Sequence, residues 1–153
     1  MADRSSLKEN LRYHRVFVIG IVLLYIFFQY QYSSGNLSYN NGQARIDGQH
    51  INGKDEGQWT WFYDNGKMQM QGAFLHGKRL GVWTIWDRNG IKLSESEYRD
   101  DKLNGKFTHW NTKGNLEKEG TYLDDEFEGV VKYYNPDGSF KESKTYSKGK
   151  ETN

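Results

Sequence analysis

The stretch Gly57-Gln58-Trp59-Thr60-Trp61-Phe62-Tyr63-Asp64-Asn65-Gly66 decides the fold. It recurs 24 residues later as Gly81-Val82-Trp83-Thr84-Ile85-Trp86-Asp87-Arg88-Asn89-Gly90, and two further copies open at Gly105 and Gly129, with their second glycines at Gly114 and Gly138. Of the 17 glycines, all but Gly20 and Gly35 fall in four slots of this frame. A fixed period of this length marks a repeat array, in which each unit buries apolar surface mainly against its neighbours.

Local signals give the unit its shape. Asn65-Gly66, Asn89-Gly90 and Asp137-Gly138 are dipeptides favoured in two-residue type I′ turns, and Lys113-Gly114 keeps the glycine. Each copy therefore reads as a β-hairpin. With Asn65 and Gly66 at the centre, Tyr63 is expected to face Met68, Trp61 to face Met70 and Trp59 to cover Gly72. Alternation then puts Trp59, Trp61, Tyr63, Met68, Met70 and Phe74 on one side of a sheet. Later equivalents are Trp83 opposite Ser96 and Phe107 opposite Gly120.

Two aromatic ladders follow from the period. Phe74, Tyr98, Tyr122 and Tyr146 share one slot, and Phe62, Trp86, Trp110 and Tyr134 share another. Alternation sends the second ladder to the opposite face, whereas a bulge would fold both into one core. On the opposite face, Phe62, Trp86, Trp110 and Tyr134 form a patch that requires a partner, and they are the candidate partner-binding residues.

Upstream, residues 33–56 read as a worn copy that caps the array, with Gly42, Gly48 and Gly53 in glycine slots. Residues 1–15 are basic. Residues 16–32 carry the one long apolar stretch, built on Val16, Phe17, Ile19, Ile21, Leu23, Leu24, Ile26, Phe27 and Phe28 and ending in Tyr30 and Tyr32. As a helix it reaches about 25 Å, at the short end for a bilayer span. A cleaved signal peptide has a similar pattern, but the tyrosines crowd any cleavage site, so an uncleaved transmembrane anchor is expected. Arg4, Lys8, Arg12 and Arg15 precede it and the next basic residue is Arg45, which keeps the N-terminus inside. The repeats would then lie in a bacterial periplasm or, for a mitochondrial inner membrane, in the intermembrane space.

Chemistry is sparse. There are no cysteines, and a net charge of +1 gives no footprint for nucleic acid. His14, His50, His76 and His109 lie far apart, and His50 and His109 occupy slots that elsewhere hold aromatics, so they read as half-buried rings. No phosphate-binding glycine loop or nucleophile arrangement is present. Catalytic residues, cofactor, metal and small-molecule substrate are all expected to be absent. The acidic pairs Asp100-Asp101 and Asp124-Asp125, with Glu126 and Glu128 near, read either as a cation or basic-partner site or as a solvated sheet edge.

These residues resemble the variant MORN repeat family, in which copies run approximately G-x-W-x-x-Y-x-x-x-G, then a short strand ending in Tyr or Phe and a Gly-Lys turn. Gly57 to Gly66 with Phe74 and Gly77-Lys78, and Gly81 to Gly90 with Tyr98, carry the likeness. Val131 in place of Trp, and Asp101 and Asp125 in place of the turn glycine, depart from it. The resemblance implies an all-β, elongated single-layer antiparallel sheet, here with four repeats over residues 57–150 behind one transmembrane α-helix. It also implies protein or lipid contact rather than catalysis. The functional expectation is a non-enzymatic, single-span accessory or scaffolding subunit of a respiratory or transport complex, whose partners are other membrane-complex subunits. The alternative is a bacterial antitoxin or immunity-type binder.

Overall fold

The computed structural model describes residues 32–34 and 37–152. The basic segment 1–15 and the expected transmembrane helix lie outside the described residues, except that Tyr32, placed at the end of that helix, sits in a strand. Among the described residues no helix is long and apolar enough to cross a membrane.

Everything described belongs to one antiparallel sheet of 13 strands. Its first part is β1 (Tyr32–Ser34), β2 (Leu37–Ser38), β3 (Ala44–Ile51), β4 (Lys54–Phe62), β5 (Met68–Leu75) and β6 (Lys78–Trp86). The order continues with β7 (Lys92–Arg99), β8 (Lys102–Trp110), β9 (Leu116–Leu123), β10 (Glu126–Phe127), β11 (Gly129–Tyr134), β12 (Phe140–Ser147) and β13 (Lys150–Thr152). Neighbours in sequence pair almost throughout, while β1 and β2 both pair with β3, and β9 takes both β10 and β11. The single layer of hairpins expected from the period is what forms.

Two kinds of turn alternate along the two long edges, and they exchange the places the dipeptides suggested. At Asn65-Gly66 only the glycine has positive φ, 80°. Tyr63 N–H donates to Lys67 O at 2.8 Å and Gly66 N–H to Tyr63 O at 3.0 Å. This is a three-residue loop, a type I turn closed by a glycine bulge, because type I′ would need Asn65 at positive φ too. The loop length shifts the pairing. Trp61 still opposes Met70, but Phe62, not Tyr63, opposes Met68, with a register shift between Trp61 and Phe62. The true type I′ pairs lie on the other edge, at Asn52-Gly53, His76-Gly77, Asp100-Asp101, Asp124-Asp125 and Lys148-Gly149, where both residues of each pair have positive φ.

The core is one row of side chains: Trp59, Trp83, Phe107 and Val131 are the buried apolar residues. The backbone pairs Trp59–Gly72 and Phe107–Gly120 form as expected. The covering ring, however, comes from the following copy. A Cβ on Gly72 would lie 2.2 Å from the Trp83 indole, and one on Gly48 would lie 2.2 Å from Trp59. The register shift between Gln71 and Ala73 sets Gly72 against the extra residues Gly81 to Trp83 of β6, where the Trp83 indole covers it. Each indole thus seats in the glycine of the copy before it. Further rings complete the row, with Phe74 perpendicular to Trp83 at 4.9 Å and Tyr122 tilted by 45° to Phe107 at 4.6 Å. His50 and His109 join it as half-buried rings, 4.9 Å from Trp59 and 5.4 Å from Phe107.

Candidate interaction faces

A sheet one layer thick presents both faces, and alternation along β4, β6, β8 and β11 assigns every side chain to one of them. The ring face carries Trp59, Trp83, Phe107 and Val131. The opposite, threonine face carries Thr60, Thr84 and Thr108, the first two of them buried.

The second aromatic ladder lies on the threonine face. The Tyr134 hydroxyl donates to Glu119 Oε1 at 2.8 Å, and Glu119 pairs with Thr108 across β8 and β9. Lys92 Nζ sits 5.4 Å from the Trp110 ring centre and 2.7 Å from Glu95 Oε1, and Glu95 pairs with both Thr84 and Thr108. The bulge does not flip the ladder, because the extra residue, Gln69, falls on β5 and leaves the alternation of β4 intact. Phe62, Trp86, Trp110 and Tyr134 are all half-buried.

The ladder divides into two pairs of different character. Trp110 and Tyr134 are engaged within the chain, one under the Lys92 ammonium and the other on Glu119. The Tyr134 hydroxyl, opposed by burial and aided by Lys132 at 3.2 Å, holds the Glu119 carboxyl below its ordinary range. Phe62 and Trp86 stand among the uncharged Gln58, Thr60, Gln71, Ala73, Leu80, Val82 and Thr84, bordered by Asp47 opposite Thr60 and by Lys92, Glu95 and Glu97 opposite Trp86, Thr84 and Val82. There Leu80 is 40% and Val82 53% exposed. Past β6 the same face carries Lys92, Glu95, Glu97, Lys106, Glu119 and Lys132. Sequence alternation finds the ladder, but the uncharged patch emerges only when register sets β4, β5 and β6 side by side.

On the ring face a groove of about 370 Å³ opens where β7 places the small Ser94 and Ser96 before Tyr98, between Trp61 and Trp83. Arg79 lies over Tyr98 at 4.1 Å and bonds Asp101 Oδ1 through Nε at 3.2 Å. The Nε1–H groups of Trp59 and Trp83 are buried without an oxygen or nitrogen acceptor, in a cage of aromatic rings. Toward the C-terminal end of this face, the Tyr133 and Tyr146 hydroxyls meet at 2.9 Å. Burial first, then this contact, pushes Tyr133 up to about 12.

The acidic turns serve as staples between copies. Asp101 N–H donates to Arg79 O at 3.3 Å, while Asp101 Oδ1 accepts from Arg79 N–H at 2.9 Å. Asp125 repeats this with Leu103 at 2.9 and 2.8 Å. Asp100 and Asp124 reach Lys78 and Lys102, each at 3.4 Å. The Arg79 N–H is the main cause that holds the Asp101 carboxyl below its ordinary value. Among the described residues no group of three or more His, Asp or Glu is placed to hold a metal ion. In these turns the carboxylates take over from glycine by bonding the preceding hairpin.

Stacked hairpins tied at both edges with a repeat of 24 residues define a repeat protein of the solenoid-like β class. Residues 55–76, 79–100 and 103–124 match the family model of the MORN repeat variant, so this part of the chain is an array of variant MORN repeats. The sheet continues past the matched copies on both sides, through β3 and through β11 to β13. No curated protein matches the chain. Among solved structures 21 chains match. One is the crystal structure of TarM, 12% identical with a TM-score of 0.40, covering 85% of this chain and 23% of that one. The chain thus spans about a quarter of the length of TarM.

Proposed function

We propose that this protein is a non-enzymatic interaction module that docks a protein partner on the patch of its threonine face around Phe62, Trp86, Leu80 and Val82. The carrying observation is the cluster of uncharged side chains around Phe62, Trp86, Leu80 and Val82, bordered by Lys92 and Glu97, over which no second layer lies among the described residues. Such a surface resembles the apolar centre of an interface, whereas the mixed charges past β6 resemble a rim. Trp110 and Tyr134, expected to share the contact, are held by Lys92 and Glu119 and act as its border. With residues 16–32 as an anchor, the partner is another subunit of a membrane assembly, and the protein is an accessory or scaffolding subunit of a respiratory or transport complex in a bacterial or mitochondrial inner membrane.

A photo-crosslinker placed at Val82 of the full chain, in the membranes of its own cells, tests this. The expected product is one discrete protein adduct, absent when the same group is placed at Lys132 and lost in a Trp86→Ala background. Equal labelling from both positions, or none from Val82, overturns the reading.

A further inference from the structure

Three copies of the same turn carry Asn-Gly, at Asn41, Asn65 and Asn89, and they differ in how the asparagine is held. Asn41 Nδ2 donates to Asp64 O at 2.7 Å, and Asn65 Nδ2 donates to Arg88 O at 2.9 Å, each in the next copy. Their Oδ1 atoms accept from Gln43 and Lys67 N–H, both at 3.1 Å. Both ends of each amide are therefore fixed. Asn89 makes neither bond, and its Nδ2 has only a 3.4 Å contact with Asp87 Oδ2.

One substitution causes the difference. Where earlier copies have Tyr39 and Tyr63, the third has Asp87, whose Oδ1 accepts from Asn89 and Ile91 N–H, both at 2.8 Å. These bonds help hold the Asp87 carboxyl below its ordinary range, the one from Ile91 most. Asp87 thus caps the turn in place of the asparagine and frees the Asn89 side chain. The following glycine N–H is held alike in all three turns, at 2.9, 3.0 and 3.0 Å from the carbonyls of Tyr39, Tyr63 and Asp87. The nucleophile is matched and only the electrophile is loose.

We infer that Asn89 is a preferred site of spontaneous deamidation among these three turns. The Gly90 nitrogen attacks Asn89 Cγ, the bond from Cγ to Nδ2 breaks, and ammonia leaves with the proton that Gly90 loses. Water then opens the cyclic imide to aspartate or isoaspartate. The aspartate product suits this turn, because the fifth copy already has Asp137 in the slot, where Oδ1 accepts from Ser139 N–H at 2.9 Å. Conversion at Asn65 would instead set a carboxylate against the Arg88 carbonyl.

The full chain is incubated at mildly alkaline pH, and aspartate and isoaspartate at each site are followed by peptide mass spectrometry. Asn89 is expected to convert about tenfold faster than Asn65 or Asn41, the rate equivalent of ~1.4 kcal/mol. Asp87→Tyr, which restores the residue of the earlier copies, slows Asn89, and Gly90→Ala slows it further while circular dichroism confirms the sheet. Equal rates at Asn65 and Asn89 in the folded chain overturn the assignment, as does an Asn89 rate unchanged by Asp87→Tyr.

Discussion

The two halves of this array solve the same packing problem with different side chains. In the first half Trp59 and Trp83 lie over bare glycines, Gly48 and Gly72. In the second, Phe107 sits beside Ser96, and Val131 and Phe107 share Gly120, where an added Cβ would lie 3.0 Å from each. The smaller phenyl of Phe107 leaves room for Ser96 where the indoles need glycine, and the isopropyl of Val131 shares Gly120 with Phe107. The opposite face changes with it, from the uncharged cluster around Phe62, Leu80, Val82 and Trp86 to paired charges such as Lys92–Glu95 and Lys132–Glu119 beyond. A repeat array thus keeps its backbone constant while its two halves differ in packing and in the side chains they present.

Truncating the packed side chain breaks the comparison most severely. Trp83→Ala should cost about 3–5 kcal/mol, and Val131→Ala about 2 kcal/mol, because fewer buried methylene equivalents are lost. Urea unfolding of both variants measures this, and equal losses would mean that the two halves are not packed differently. Filling the seats comes next. Gly72→Ala should cost about 3 kcal/mol and Gly120→Ala about 1 kcal/mol, the ends of the overpacking range, since one clashes with an indole at 2.2 Å and the other needs only small shifts.

A smaller effect concerns pH. Burial, then Lys118, depresses the half-buried His109 below its ordinary value near 6.5. The neutral ring is favoured on folding, so its contribution is full above that value and declines as pH falls toward the lower folded value. His109→Phe should flatten the stability profile below about pH 6.5, which a series of melts would show. A similar sign holds for Asp101, at lower pH. Its capping of Arg79 N–H is present above the ordinary carboxyl range near 3.9 and is lost as pH falls through the depressed folded value. Asp101→Ala should remove about 1 kcal/mol at neutral pH.

Much of this was legible in the chain. The 24-residue spacing of Gly57, Gly81, Gly105 and Gly129, the hairpin in each copy and the row through Trp59, Trp83 and Phe107 all follow from glycine placement and period-two alternation. The turn types were not. Asn-Gly suits either a type I′ turn or the glycine bulge of a three-residue loop, so the dipeptide alone leaves loop length open. Asp100-Asp101 carries no glycine, and its positive φ values of 51° and 71° are sustained by staples to Arg79 and Lys78, which only the stacked neighbour supplies. Tyr63 likewise leaves the ring row to donate to Trp86 O at 2.9 Å, a partner in the next copy.

By itself, then, the sequence determined the period, the all-β hairpin unit and the side chains available to each face, because these depend on backbone preference and on spacing within one copy. Tertiary structure decided which ring seats in which glycine, which aspartates cap which hairpins and where the threonine face loses its charge. Those outcomes depend on the tilt and register between copies, set by bulges such as the one between Gln71 and Ala73, and no single copy contains that information.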